Sequence, residues 1–279
     1  MKYLDALNGN LVPHINVPRS QIYADGIFET IAVYQGKILW FSKHFQRLMR
    51  GIRTLKYELP EDFSENSLKT QIQDLLQVNQ IHIGRVRILC LRKDGGFYSP
   101  ITEQSDILIQ TFPLMEIYAW KNDGIKVGVF DQVLLFPTIL KRFKSCNALP
   151  YVLAAQEAHS LHLDDCILLS YQNKIAELSA SNLFFVKNYE LFTPDLNTGC
   201  VQGIMRENLF EFAEKLNIKL HKSFITLDHL NDFTEIFATN AIHGIVPIRY
   251  VQGISKTFST SHNEVTRAIY KELMKSIQS

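Results

Sequence analysis

Lys144, in the run Phe143-Lys144-Ser145-Cys146-Asn147, is the residue best placed to do chemistry in this chain. It stands just before a helix and is followed by an acid in a strand, Glu177, and by a glycine-led helix start at Gly203-Ile204-Met205-Arg206. A lysine amine attacks a carbonyl carbon only as the neutral base, so burial or neighbouring positive charge must lower its proton affinity. Released again by an incoming amino group, the same amine can move protons to and from a reacting carbon. Taken singly, a lysine is a surface charge, because its ammonium is costly to dehydrate. The acid and the helix start are what single Lys144 out.

Beside a pyridine nitrogen, the Glu177 carboxylate would keep that nitrogen protonated and make the ring an electron sink, a role that glutamine would fill poorly. The first amides of the helix opening at Gly203 have no partner within the helix, so Ile204 and Met205 can hold a phosphate. Arg47, three residues after His44 on an earlier helix, can add the charged fork that phosphate prefers. Amine, acid and phosphate cradle together suit pyridoxal phosphate.

The elements that must position these residues follow from periodicity. Residues 27–34 and 37–41 alternate as strands around Gln35-Gly36, a hairpin signal. Ser42 reads as a helix cap, and Phe45, Leu48, Met49, Ile52 and Leu55 keep helical spacing from His44 to Tyr57, before Pro60. A second amphipathic helix is expected over 64–78, and strands over 86–91 and 107–112. The stretch 113–124 reads as a connector. Beyond it, strands over 126–130, 165–171, 174–177 and 183–186 alternate with helices over 150–160 and 205–216.

The 279 residues, 46% hydrophobic and 20% charged, can bury one large core or two modest ones. A formal net charge of +1 offers no broad field for nucleic acid or an anionic membrane, so specificity belongs to a pocket. Cys90, Cys146, Cys166 and Cys200 lie far apart and read as reduced thiols. The start of the chain lacks the apolar core of a signal peptide and no run approaches a membrane span, which together place the protein in the cytoplasm. His159, His162, Asp164 and Asp165 are metal-ligand types, but helix-end polarity explains them more simply and no metal is expected.

Five blocks in order resemble the class IV aminotransferases, the fold-type-IV pyridoxal phosphate group that includes branched-chain and D-amino-acid aminotransferases and aminodeoxychorismate lyase. They are Tyr23 to Thr30, His44 to Leu48, Lys144 to Asn147, Glu177 to Phe184, and Thr193-Pro194 with Gly203 to Arg206. The resemblance implies that Lys144 is the Schiff-base lysine and proton carrier, and that Glu177 pairs with the pyridine nitrogen. Arg47, Gly203, Ile204 and Met205 would hold the phosphate, with Asn240 and Ala241 as a further contact, while Tyr23 and Phe28 would line the substrate side. It also implies a homodimer of α/β (α+β) chains. Each would have a small N-terminal α/β domain, residues 1–115, and a larger cofactor-binding domain, residues 124–279, with a distorted barrel core.

Met205 and the segment from Asn240 to Pro247 resemble the lyase branch, as does Gly96-Phe97-Tyr98-Ser99, although an arginine common in that loop is missing. Arg85, Arg87 and Arg92 are the candidates to bind a substrate carboxylate in its place; alternation puts Arg85 and Arg87 on one strand face. The arginine-x-histidine loop of D-amino-acid aminotransferases is absent. The preferred expectation is therefore a lyase forming 4-aminobenzoate and pyruvate from 4-amino-4-deoxychorismate. The alternative is an aminotransferase acting on a branched-chain or other small amino acid, and the remote one a non-catalytic cofactor-binding dimer.

Overall fold

The computed structural model describes residues 4–13 and 15–278. A hairpin of β1 (Leu4–Leu7) and β2 (Asn10–Pro13) leads through α1 (Arg19–Ile22) into β3 (Gly26–Tyr34), β4 (Lys37–Ile38), α2 (Phe41–Leu55), α3 (Glu65–Val78), β5 (Gly84–Arg92) and β6 (Ser105–Pro113). After a connector come β7 (Ile125–Leu135), α4 (Leu149–Ser160), β8 (Asp165–Ser170), β9 (Ile175–Leu178), β10 (Asn182–Lys187) and β11 (Glu190–Pro194). The chain ends with α5 (Ile204–Lys215), β12 (Leu220–Ser223), β13 (Glu235–Asn240), β14 (Gly244–Val251) and α6 (Glu264–Gln278).

Strands β4-β3-β5-β6 form an antiparallel sheet, and β12-β11-β10-β13-β14-β7-β8-β9 a larger mixed sheet. The larger sheet curls until its edges meet: the Ile175 amide on β9 donates to the Ile225 carbonyl just past β12, at 2.7 Å. The expected α/β chain with a barrel-like core is the architecture observed.

β5 shows the two-residue period directly. Val86, Ile88 and Cys90 are buried, while Arg85, Arg87 and Leu89 lie on the other face. β3 pairs with β5 from Gly26 opposite Leu91 to Val33 opposite Gly84. Its other edge meets β4 only at Val33 and Tyr34. The edge near Phe28 is left for another segment to fill.

α2 begins earlier than its sequence suggests. Phe41 is already helical, and the cap is Trp40 in a left-handed conformation (φ 48°) with no capping side chain, so Ser42 is not the cap. The hairpin returns for only two residues before burial of Leu39 and Phe41 draws the chain into the helix, which shortens the strand expected to reach residue 41. At its far end Lys56 turns left-handed and the Tyr57 amide closes back on the Ile52 carbonyl at 3.0 Å. In α3, Ser64 and Ser67 form a reciprocal cap.

β11 to β14 and α6 have no counterpart among the sequence expectations. β13 and most of β14 are buried on both faces, so they lack the alternation that marks a strand.

The two sheets share apolar packing. Ala32 and Leu39 join Phe184, Phe237, Ile245 and residues of α5 and α6 in one cluster. Phe143, just before Lys144, is buried among Ile27, Leu48 and Ile52. This close approach depends on Gly51 of α2, where an added Cβ would lie 2.8 Å from Ile27 Cδ1 and 3.1 Å from the Phe143 ring. Gly51→Ala is expected to cost about 1–3 kcal/mol by overpacking, read as a lower urea midpoint at unchanged slope. An unchanged midpoint would show that Phe143 can move aside freely.

Candidate active site

Lys144 is carried by an irregular segment sewn onto the open edge of β3. The Phe28 amide donates to the Lys144 carbonyl at 2.8 Å and the Cys146 amide to the Gly26 carbonyl at 2.9 Å, with Ile27 opposite Ser145. Phe143 anchors the near side in the core. The amine lies over the Phe28 ring, 4.8 Å from its centroid, and among the described residues it forms no hydrogen bond or ion pair. Burial and the nearby Arg47 guanidinium lower its proton affinity, against the opposing pull of Glu29 and Glu177. The amine is thereby biased toward the neutral base.

Arg47 is held by a carboxylate within the core. Glu29 Oε1 accepts from Arg47 Nε at 2.8 Å, and Glu29 Oε2 accepts from Arg47 Nη2 at 2.6 Å and from His44 Nδ1 at 2.7 Å. Burial alone would raise the Glu29 carboxyl, but Arg47 and His44 hold it down to about 2. An ionised carboxylate only accepts, so His44 Nδ1 carries the hydrogen. Dehydration lowers the proton affinity of the imidazole, and among the described residues its buried Nε2 has no partner.

Arg47 Nη1 also donates to the Gln202 carbonyl at 2.9 Å, which places the guanidinium at the entrance to α5 and leaves N–H groups on both terminal nitrogens. There Gly203 caps the helix with no side-chain bond, while Ile204 and Met205 are buried. A buried, uncapped helix start beside an arginine has the donors to hold an anion.

Glu177, on β9, is buried and accepts at both oxygens: from Tyr151 Oη at 2.7 Å, from Asn182 Nδ2 at 3.2 Å and from the Val201 amide at 2.9 Å. Burial raises its carboxyl, while Lys141, Tyr151 and the Val201 amide pull the other way. Asn182 ties the two ends of the site together. A Cβ on Gly203 would strike Asn182 Oδ1 at 2.1 Å, so only glycine lets α5 start this close to the amide that holds Glu177.

Phe28, Arg47, Arg85, Lys144, Glu177, Gly203, Ile204, Met205, Asn240 and Ala241 all line one cavity of about 530 Å3. Asn240 is partly committed: its Oδ1 accepts from the Ile242 and His243 amides and its Nδ2 donates to Ser181 Oγ, which leaves one N–H for a ligand.

Three expected substrate residues lie elsewhere. Arg92 is buried against Asp25, Glu103 and the Leu55 carbonyl, on the β5 face opposite Arg85. Arg87 stacks on Phe112, and Tyr23 packs against Tyr98 and Arg19. Arg85 does reach the cavity; its guanidinium stacks on Phe112 at 4.7 Å, and its buried Nε has no partner. Burial, Lys121 and Arg85 together disfavour a charge on His243, which lines the same cavity.

Lys141, Tyr151 and Asn182 also line the cavity; Asn182 falls in the block from Glu177 to Phe184, whereas Lys141 and Tyr151 had no sequence signal. Glu29 had one, since it occupies the inward register of β3 between Ile27 and Ile31. Among the metal-ligand types, Asp164 accepts from the Lys126 amide and Asp165 from the amides of Cys166 and Ser179. Among the described residues no helix is long and apolar enough to cross a membrane.

The family model for amino-transferase class IV matches residues 26–251. An aminodeoxychorismate lyase of Vibrio harveyi is 27% identical, covering 95% of this chain and 98% of the relative. A probable branched-chain-amino-acid aminotransferase of Rickettsia felis is 25% identical, covering 95% of this chain and 93% of the relative. The solved branched-chain amino acid aminotransferase of Escherichia coli superposes with a TM-score of 0.84 at 25% identity, covering 96% of this chain and 92% of that one.

Glu29→Gln is expected to lower stability at neutral pH by about 3–5 kcal/mol, because Arg47 loses its buried counter-charge. Glu29 has a folded proton affinity below its unfolded one, so its contribution is present above the ordinary carboxylate range and lost as pH falls toward about 2. Urea unfolding should show the gap between wild type and variant shrinking by roughly 3 kcal/mol over that window. A constant gap would contradict the assignment.

Proposed function

The chain belongs to the class IV aminotransferase family, a family of enzymes, and from that premise we propose that it uses pyridoxal phosphate to process the amino group of a small anionic substrate. The residues present fit this cofactor by their donor set. The uncapped α5 amides and Arg47 suit the phosphate, Glu177 suits a pyridine nitrogen, and Lys144 supplies an amine without an acidic partner. Bound there, the cofactor would supply an aldehyde that takes up an amino group and a ring that accepts electrons. That unpaired amine, set between a phosphate site and a buried carboxylate, is the observation that carries the reading.

The chain's residues divide the work. Ile204, Met205 and Arg47 bind the phosphate, with Asn240 and Ala241 in reach of the same cavity. Glu177 Oε1 or Oε2 holds a proton at the ring nitrogen. Lys144 Nζ, as neutral base, takes a proton from the carbon that bears the substrate's amino group. Phe28 walls the substrate side. Arg85 lines the same cavity and can offer its guanidinium to a carboxylate.

We favour 4-amino-4-deoxychorismate as substrate. Proton removal at its aminated ring carbon lets the enolpyruvyl group leave, with pyruvate and 4-aminobenzoate as products. The Vibrio relative and the carboxylate-binding capacity of Arg85 support this reading. An aminotransferase is the second reading, supported by the Rickettsia relative: the same proton is returned at a different carbon and the amino group passes to a 2-oxo acid. A division into domains 1–115 and 124–279 and a cytoplasmic homodimer complete the proposal. Phe97, Tyr98 and Ile101, exposed together, give an apolar surface suited to a second copy.

Cofactor-loaded protein is expected to release 4-aminobenzoate and pyruvate from 4-amino-4-deoxychorismate, and Lys144→Ala to release neither while keeping its unfolding midpoint. Arg85→Ala should lower kcat/KM about tenfold or more, as for a lost charged hydrogen bond. Transfer to a 2-oxo acid with no 4-aminobenzoate would establish the second reading. Neither activity in cofactor-loaded protein would defeat both.

A further inference from the structure

We propose that Lys141 and Tyr151 form a hydrogen-bond relay that fixes Glu177 as an ionised acceptor, and so sets where the proton shared with a ligand's ring nitrogen resides. The inference rests on the pyridoxal phosphate reading and assigns two positioning residues to it. Lys141, on the 3-10 turn 139–142, donates from Nζ to Tyr151 Oη at 2.6 Å, and Tyr151 Oη donates to Glu177 Oε1 at 2.7 Å. The direction is fixed by chemistry. An ionised carboxylate only accepts, so Tyr151 spends its single hydrogen on Glu177 and its oxygen accepts from Lys141, whose proton affinity burial lowers and Glu177 raises.

Glu177 needs such help, because among the described residues it has no direct cationic partner although it is buried. Its other donors, Asn182 Nδ2 and the Val201 amide, are neutral and share Oε2. Lys141 is the cation that reaches Glu177 through one hydroxyl, and it also lies over the Tyr151 ring at 4.7 Å. The remaining groups around Glu177 do not replace it. Cys200 is kept a neutral thiol by burial and by Glu177 itself, the Arg206 guanidinium is directed to the Pro194 carbonyl, and Lys144 is the reacting amine. Tyr151 stays a phenol, since burial and Glu177 both oppose its ionisation.

Removing the relay raises the proton affinity of Glu177, and the shared proton moves from the ring nitrogen to the carboxylate. Tyr151→Phe does this without changing charge, and Lys141→Met removes the cation. The test is nitrogen NMR of the holoenzyme loaded with pyridoxal phosphate labelled with 15N in the ring, titrated with pH, with cofactor affinity measured alongside. The wild-type nitrogen is expected to stay protonated over the range where the protein is folded. In Tyr151→Phe and Lys141→Met the nitrogen should lose its proton at a midpoint within that range, and Lys141→Arg should restore the wild-type behaviour. If Lys141→Met folds poorly, Tyr151→Phe decides the matter. Resonances and midpoints equal to wild type in both variants would overturn the relay and leave the cofactor reading standing. Wild-type protein that takes up no cofactor would overturn both.

Discussion

The short ladder between β3 and the segment carrying Lys144 is the constraint on which the rest of the structure depends. β4 is too short to cover the edge of β3 near Phe28, and residues 144–146 take that edge through backbone bonds on both sides of Ile27. Phe143 then locks the segment into the core beneath α2. A reactive lysine on a loop would wander through its rotamers. Here its backbone belongs to a sheet, so a flexible side chain starts from a fixed point.

From that point the electrostatics follow by position. Glu29 neutralises Arg47 from behind, from within the core, so that the guanidinium can face an anion without destabilising the fold. Arg47 and the α5 amides meet at Gln202 and Gly203, and Asn182 joins that end to Glu177. Arg47 and Glu177 are thus held from the protein side and offer their free capacity to the cavity. Lys144 is the exception, held through its backbone alone. Among the described residues its amine has no carboxylate partner to keep it protonated, which biases it toward the neutral base that carbonyl chemistry requires.

Much of this was legible in the sequence because it is local. The spacing of Phe45, Leu48, Ile52 and Leu55 shows the buried face of α2, and the alternation along β5 shows its two faces. Parity along β5 also separates Arg85 from Arg92: an odd offset puts them on opposite faces, and Arg92 accordingly turns away to Asp25. Strands β13 and β14 were hidden by burial on both faces. Lys141 and Tyr151 were hidden for another reason, since nothing near them in the chain shows that a turn and a helix converge on one carboxylate. Glu29 lay between these cases, an acid in an apolar register whose partners sit one helix away.

The central claim is that Lys144, and no other amine of the cavity, is the group that reacts with a carbonyl. Incubation of the protein with pyridoxal phosphate, reduction with borohydride and peptide mass mapping would test it most directly, because Lys141 lines the same cavity and serves as an internal control. The account predicts a stable pyridoxyl group on the peptide containing Lys144, at Lys144. Modification at Lys141 instead, or none in protein that has taken up the cofactor, would contradict it.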